Sequence, residues 1–452
     1  MKHDEAGVRA MRCWFNAVCA GLVIIGSLPA VADSEIGILG KVQRVVSPGG
    51  IEAWLIEDHT VPLVAIEFAF YGGSYQDDPG KEGLSRLTAS LVNKGAGDMP
   101  EVRFKERMED LVMHLGFSSG RTWCYGGAKI VRQSIDESAD MLSLALREPR
   151  FDEEVVERVR GVSIKDLEAS QKSASFVADD LLRKAQYEGH PFARPPSGTM
   201  KTLAAITLED IKKYHRRIFV KDKLKVAVVG SVNAEKLGPL LDKIFGSLPE
   251  GGDISPVEPI KPKTDFTLRQ ELDVPQANII ASLPWVGIKD DDFMAAYLIN
   301  NVLGGPGLSS WLFDEVRIKR GLVYSIGSSS SHEPPVFFVK TMTANEKVPH
   351  AVLAIKEQLS LMAEKGPSQE ELDLSKEDLK RRFLIDLDTL SQISSFLTTL
   401  QRYGFSIDYP QKRNSLIDSV TVEDVKRVAR RLFSVTPGIV IVGKNVTEEA
   451  KN

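Results

Sequence analysis

Residues 81–95 read KEGLSRLTASLVNKG. Leu84, Leu87, Leu91 and Val92 recur at the spacing of one buried helix face. On another part of that helix Arg86 and Ser90 stand four apart, with Ala89 between them. A helical zinc motif fills those slots with His, Glu and His: two imidazoles one turn apart meet one ion, and the carboxylate activates its bound water. Here Arg86 sets a permanent cation where the ion would sit, Ser90 is a poor ligand, and Ala89 leaves no general base. These residue types argue against zinc hydrolysis at this helix. His59, His114, His190, His215, His332 and His350 offer no replacement, since none form an H-x-x-H or H-x-x-x-H pair, and each reads as a surface or loop residue.

Three other stretches invite chemistry. Gly116 to Gly120 fits G-x-S-x-G, the nucleophile elbow, which needs a strand before the serine and a helix after it. FKERMEDLVMHLG predicts a helix before and RTWCYGGAKIV a strand after, the reverse order. Gly116 then reads as the residue just past a helix C-terminus. Arg317 and Tyr324 lie seven apart in RIKRGLVY, which runs from a helix end across Gly321 into a strand where Leu322, Tyr324 and Ile326 share a face. VLGGPG, with Gly304, Gly305 and Gly307, lacks the spacing of a phosphate-binding loop and reads as a glycine cap and hinge.

The elements that must position these residues come in two sets. TLEDIKKYHRRIFVKDKLKVAVVG at 207–230 and TVEDVKRVARRLFSVTPGIVIVG at 421–443 share Thr, Glu-Asp, Lys, Arg-Arg and Phe in register, then a β-branched run ending in Val-Gly. Each predicts a capped amphipathic helix followed by a buried strand. So long a repeat indicates a duplicated domain rather than a solenoid. The stretch 247–263, rich in Pro, Gly and acids, reads as a linker. The expected boundaries are 33–246 and 264–452. Strands at IEAWLIED and LVAIEFAFYGG, helices at 137–147, 152–170 and 174–188, and in the second half NIIASLPWV and a helix from Asp292 to Leu303, predict α+β domains with helices on one sheet face.

Composition narrows the rest. The 452 residues are too many for one core, and a net charge of −5 gives no nucleic-acid footprint. Lys2, Arg9 and Arg12 precede the apolar run CWFNAVCAGLVIIGSLP and Ala30-Val31-Ala32, the pattern of a cleavable signal over residues 1–32. The run is short for a membrane span; an uncleaved anchor is the other reading. Cleavage would leave Cys124 alone, consistent with an oxidising compartment such as the periplasm, and Cys124 reads as a small core residue.

The ordered phrases GGIEAWLIEDHTVPLV, YGGSYQDDPGKEGLSRL, HPFARPPSGTMKTLAAIT and VLGGPGLSSWLFDEVRIKRGLVYSIGSSSS make the chain resemble the M16 peptidases, whose inverted zinc motif is H-x-x-E-H. The resemblance covers nearly the whole mature chain. It implies two homologous α+β domains, each a mainly antiparallel sheet packed with helices, and it places the motif on Arg86, Ala89 and Ser90. The family's third ligand falls on Asp166 and a supporting Glu on Val159, so only Asp166 keeps a ligand's chemistry. Arg317 and Tyr324 match a pair that clamps the peptide across the cleft, where a guanidinium fork and a phenol can hold a carbonyl or its developing oxyanion. Their plainer reading is a surface ion pair and a half-buried aromatic. The resemblance also makes the glycine-rich loop a turn at the cleft. What it implies is a non-catalytic, substrate-binding subunit that holds no cofactor itself. A partner bearing H-x-x-E-H would supply the zinc, and an unfolded peptide would bind as an added strand. A structural scaffold or a peptide-binding homodimer without proteolysis are the alternatives.

Overall fold

In the computed structural model residue 37 and residues 39–306 and 309–446 are described. The signal-like segment and Gly307 lie outside the described residues.

Both copies of the repeat fold as the sequence predicts. Thr207 caps α7 (Leu208–Ile218) by accepting from the Asp210 N–H at 3.2 Å, while Asp210 accepts from the Thr207 N–H at 2.7 Å. Thr421 and Asp424 make the same reciprocal pair at 3.1 Å each way before α14 (Val422–Phe433). Each satisfies N–H groups that a helix start leaves orphaned. The strands that follow, β8 (Lys225–Gly230) and β13 (Gly438–Gly443), enter the middles of two sheets.

The first sheet adds β1 (Gln43–Val46), β2 (Glu52–Glu57), β3 (Leu63–Tyr71), β6 (His114–Ser119) and β7 (Trp123–Val131) in the order β1-β2-β8-β3-β7-β6. A short ribbon of β4 (Gly95–Ala96) and β5 (Met99–Pro100) stands apart. The second sheet holds β9 (Thr267–Glu271), β10 (Gln276–Pro284), β11 (Ser325–His332) and β12 (Pro335–Ala344) in the order β11-β12-β10-β13-β9. In each sheet the repeat strand runs parallel to one neighbour, β2 or β9, and antiparallel to the other, β3 or β10; the remaining pairs are antiparallel. The duplication therefore extends to topology.

Helices α1 (Leu84–Leu91), α2 (Glu101–Asp110), α3 (Ile135–Arg147), α4 (Glu153–Ser170), α5 (Ala174–Gln186), α6 (Met200–Ala205) and α8 (Ala234–Phe245) complete the first half. The second has α9 (Phe293–Gly304), α10 (Val348–Lys365), α11 (Gln369–Ile385), α12 (Leu390–Tyr403) and α13 (Tyr409–Asp418). Between the halves, the chain from Gly251 to Lys263 forms neither helix nor strand.

Helices on one sheet face is where the sequence reading fails. Alternate residues of the central strands divide between two cores. Leu55, Ile66 and Val228 join the first half's own helices, but Trp54, Ile56, Ala227 and Val229 pack on Ile393, Leu397 and Leu400 of α12, from the second half. Reciprocally, Ile280, Val440 and Val442 of the second sheet pack on Ala178 and Leu182 of α5, from the first half. Each half thus lends a helix to cover the other's sheet, and the strands are buried on both faces.

A second departure lies at α2, which ends at Asp110 instead of running to Gly116. Val112 turns to φ 51° and is exposed, and β6 begins at His114. Gly116 is therefore a mid-strand residue, not a helix cap. The elbow stays excluded because a second strand, rather than a helix, follows Ser118.

Candidate functional site

Asp77 fixes the start of α1. Its carboxylate, 2% exposed, accepts from the Gly83 and Ser85 N–H groups, both at 2.9 Å. Burial pushes its pKa up to about 7, against those hydrogen bonds. Gly83 takes φ 96°, and a Cβ there would lie 2.9 Å from the Ser197 carbonyl oxygen, so both backbone and space demand glycine.

On this helix Ala89 is buried and Ser90 is half-buried, its hydroxyl donating to the Leu87 carbonyl at 2.7 Å. Arg86 is exposed and donates to Ser197 Oγ. Asp166, exposed on α4, faces the same hollow of about 490 Å³ as Arg86 and Ser90. The fold thus brings together Arg86, Ser90 and Asp166, three of the four positions assigned to the degenerate motif; Ala89, the fourth, is buried, and Val159, the supporting position, packs on the core. Among the described residues no three His, Cys, Asp or Glu side chains converge as a metal site. A guanidinium, a methyl, a hydroxyl committed to its own helix and one carboxylate do not fit a catalytic zinc, which takes about three protein ligands and a base.

Phe117, Ser118 and Ser119 of β6 line the same hollow, and β6 is an edge of its sheet. Through Arg86, Phe176 and Ser197 the hollow shares its wall with a cleft of about 620 Å³ between the halves. The first half gives the cleft Arg121, Thr122, Tyr125 and the α5 residues Asp179, Asp180 and Arg183; the second gives Ser331 to Pro334, Phe338 and Tyr403. Arg183 is buried, pairs with Asp180 and donates to the Ala193 carbonyl, and burial lowers its pKa despite that partner. Thr122 donates to Glu333 across the halves, and Arg402 of α12 donates to the Tyr125 hydroxyl.

Arg121, in the β6–β7 turn, carries no sequence signal, since nothing in a turn arginine says which cavity it enters. One histidine departs from expectation: His215 is buried in α7, its Nε2 at 2.9 Å from the Leu146 carbonyl, and burial lowers its pKa to about 4.

Arg317 lies on a widened, π-helical segment, Phe313–Lys319, where the Arg320 N–H reaches back to the Glu315 carbonyl at 3.2 Å. Its guanidinium stacks 4.6 Å from the Phe313 ring centroid. Tyr324 is 57% exposed, just ahead of β11, and its N–H donates to the Met342 carbonyl. Leu322, Val323 and Ile326 pack on the second core, whereas Tyr324 stands in solvent. Neither Arg317 nor Tyr324 lines the cleft with Arg86. Gly304 ends α9, where a Cβ would meet the Ser328 N at 2.8 Å, and Gly305 follows in an extended rather than left-handed conformation.

Two family models match, "Insulinase (Peptidase family M16)" over residues 53–200 and "Peptidase M16 inactive domain" over 205–379. The chain belongs to the M16 peptidase family. A "Non-peptidase homolog YmxG" of Helicobacter pylori is 25% identical over 380 residues, covering 82% of this chain and 86% of that one. An "Uncharacterized zinc protease YmxG" of Bacillus subtilis is 24% identical over 402 residues, covering 87% and 96%. Among solved structures, an M16 inactive domain from Pseudomonas fluorescens superposes with a TM-score of 0.84 at 22% identity, over 90% of this chain and 99% of that one. A Helicobacter pylori protease gives 0.79 at 21%, over 89% and 99%. This M16 chain carries the family's doubled fold without its zinc motif.

Proposed function

We propose that this chain is the non-catalytic, peptide-binding subunit of a two-chain M16 peptidase, exported to the periplasm. The observation that carries the reading is a cleft walled by both halves, joined to an open sheet edge, beside motif positions occupied by Arg86, Ala89 and Ser90. An extended peptide on β6 would satisfy that strand's unpaired backbone groups. A partner with H-x-x-E-H would provide zinc and activated water. This chain would position the peptide, with Arg317 and Tyr324 reaching toward it in the assembled pair.

A second reading, a structural subunit or a homodimer without proteolysis, is favoured by the placement of Arg317 on Phe313 and of Tyr324 in solvent, both outside the cleft. Co-expression with an H-x-x-E-H homologue and a fluorogenic peptide assay separates the two. Hydrolysis by the pair that falls at least about tenfold on Arg317→Ala supports the clamp, since a charge-assisted hydrogen bond accounts for that much. Hydrolysis indifferent to Arg317→Ala and Tyr324→Phe assigns the chain a structural role.

A further inference from the structure

We infer that Arg86 and Arg121 form a carboxylate subsite at the end of the β6 edge, selecting peptides that present an acidic side chain or a free C-terminus there. This deepens the peptide-binding reading and rests on it.

Arg121 follows β6 by two residues, in the turn closed by the Gly120 N–H on the Trp123 carbonyl at 2.8 Å. Its guanidinium donates once, to the Phe192 carbonyl at 3.1 Å, and lies 5.6 Å from the Phe192 ring centroid. An arginine has five N–H donors, so most of this fork is uncommitted. Among the described residues neither Arg121 nor Arg86 has a carboxylate within 4.0 Å. Arg121 is largely withdrawn from water, and burial, with Arg183 and Arg86 adding like charge, brings its pKa down to about 10.

Three acidic side chains share the cleft wall, and two are already neutralised. Asp179 binds Lys340 at 2.5 Å, and Asp180 binds Arg183 and Lys184. The third, Glu333, accepts from Thr122. Asp166 faces the adjoining hollow with Arg86 but makes no ion pair with it, and Arg183 is committed to Asp180, so of the three arginines on the joined hollow and cleft only Arg86 and Arg121 have no carboxylate within 4.0 Å among the described residues. A partly desolvated cation without a counter-ion is costly, and a planar carboxylate is the ligand its fork matches, through two parallel hydrogen bonds. A strand laid along β6 toward Ser119 leads to this pair, because Ser119 and Arg86 line one hollow and Arg86 and Arg121 line the adjoining cleft. The cation at the old motif position becomes the reader of an anionic group.

The test is fluorescence anisotropy on the exported chain with one short extended peptide in four forms: an internal Glu or Gln, each with a free or amidated C-terminus. The expected result is that a carboxylate form binds at least about tenfold more tightly than the Gln amide, that the gain shrinks with added salt, and that Arg121→Gln abolishes it. Whichever carboxylate carries the gain, side chain or terminus, is the group recognised. Should Arg121→Gln fail to fold, Arg86→Gln at its exposed position is expected to cut the gain severalfold. An unchanged gain in a folded variant overturns the subsite. Equal binding of all four forms overturns the subsite and leaves peptide binding standing. Binding of none overturns both.

Discussion

The exchange of helices between halves makes a sharp prediction for Leu397→Ala. Leu397 lies on the second half's α12, fully buried against the first sheet beside Trp54, Ile56 and Val229. Truncating a buried leucine costs about 3–5 kcal/mol through lost transfer free energy and the cavity left behind. With an unfolding entropy of about 2.1 cal/mol/K per residue, the chain of 452 residues loses about 3–5 °C of Tm. The location of the damage matters more than its size. Thr398 donates to the Glu67 carbonyl at 3.3 Å and Gln401 to the Val226 carbonyl at 2.7 Å, so α12 is tied to β3 and β8. Hydrogen exchange followed by mass spectrometry should show faster exchange on β8 and β3, more than 160 residues away in sequence from the substitution. Calorimetry of the unsubstituted chain should give one transition, because neither sheet keeps both faces covered without the other half. Exchange confined to α12 and the second sheet, or two independent melting transitions, would refute the exchange as a stability device.

Two further outcomes follow from single residues. Burial raises the pKa of Glu67 from its ordinary 4.5 to about 7, against the pull of Lys129. The folded state therefore holds a proton that the unfolded chain has released, and stability falls as pH rises from about 4.5 to about 7. Glu67→Gln should flatten that slope in urea titrations across this window; an unchanged slope contradicts it. Gly304→Ala places a methyl against the Ser328 backbone and Leu312, and should lower the urea midpoint by an amount equivalent to about 1–3 kcal/mol, where a neutral effect would show the loop yields easily.

Much of the scaffold was legible because its signals are local. The Thr-x-x-Asp caps and the runs KVAVVG and GIVIVG specify helix starts and buried strands wherever they occur. The α2–β6 boundary was not legible, since Leu111 and Leu115 fit a helical period and are buried, yet one is a helix terminus and the other a strand residue. Nor was the helix exchange: the apolar face of α12 states that it needs a sheet, not which one. At the site, Arg86 was readable from its spacing on α1. Arg121 was not, because its role comes from a turn that the fold carries to the mouth of the cleft.

The most direct test is to purify the chain alone and with an H-x-x-E-H partner, and to measure zinc per chain and peptide hydrolysis on each. The expected result is no stoichiometric zinc and no hydrolysis by the chain alone, with both present in the pair. One zinc per chain held through the Arg86–Asp166 hollow, with unaided hydrolysis, would contradict it.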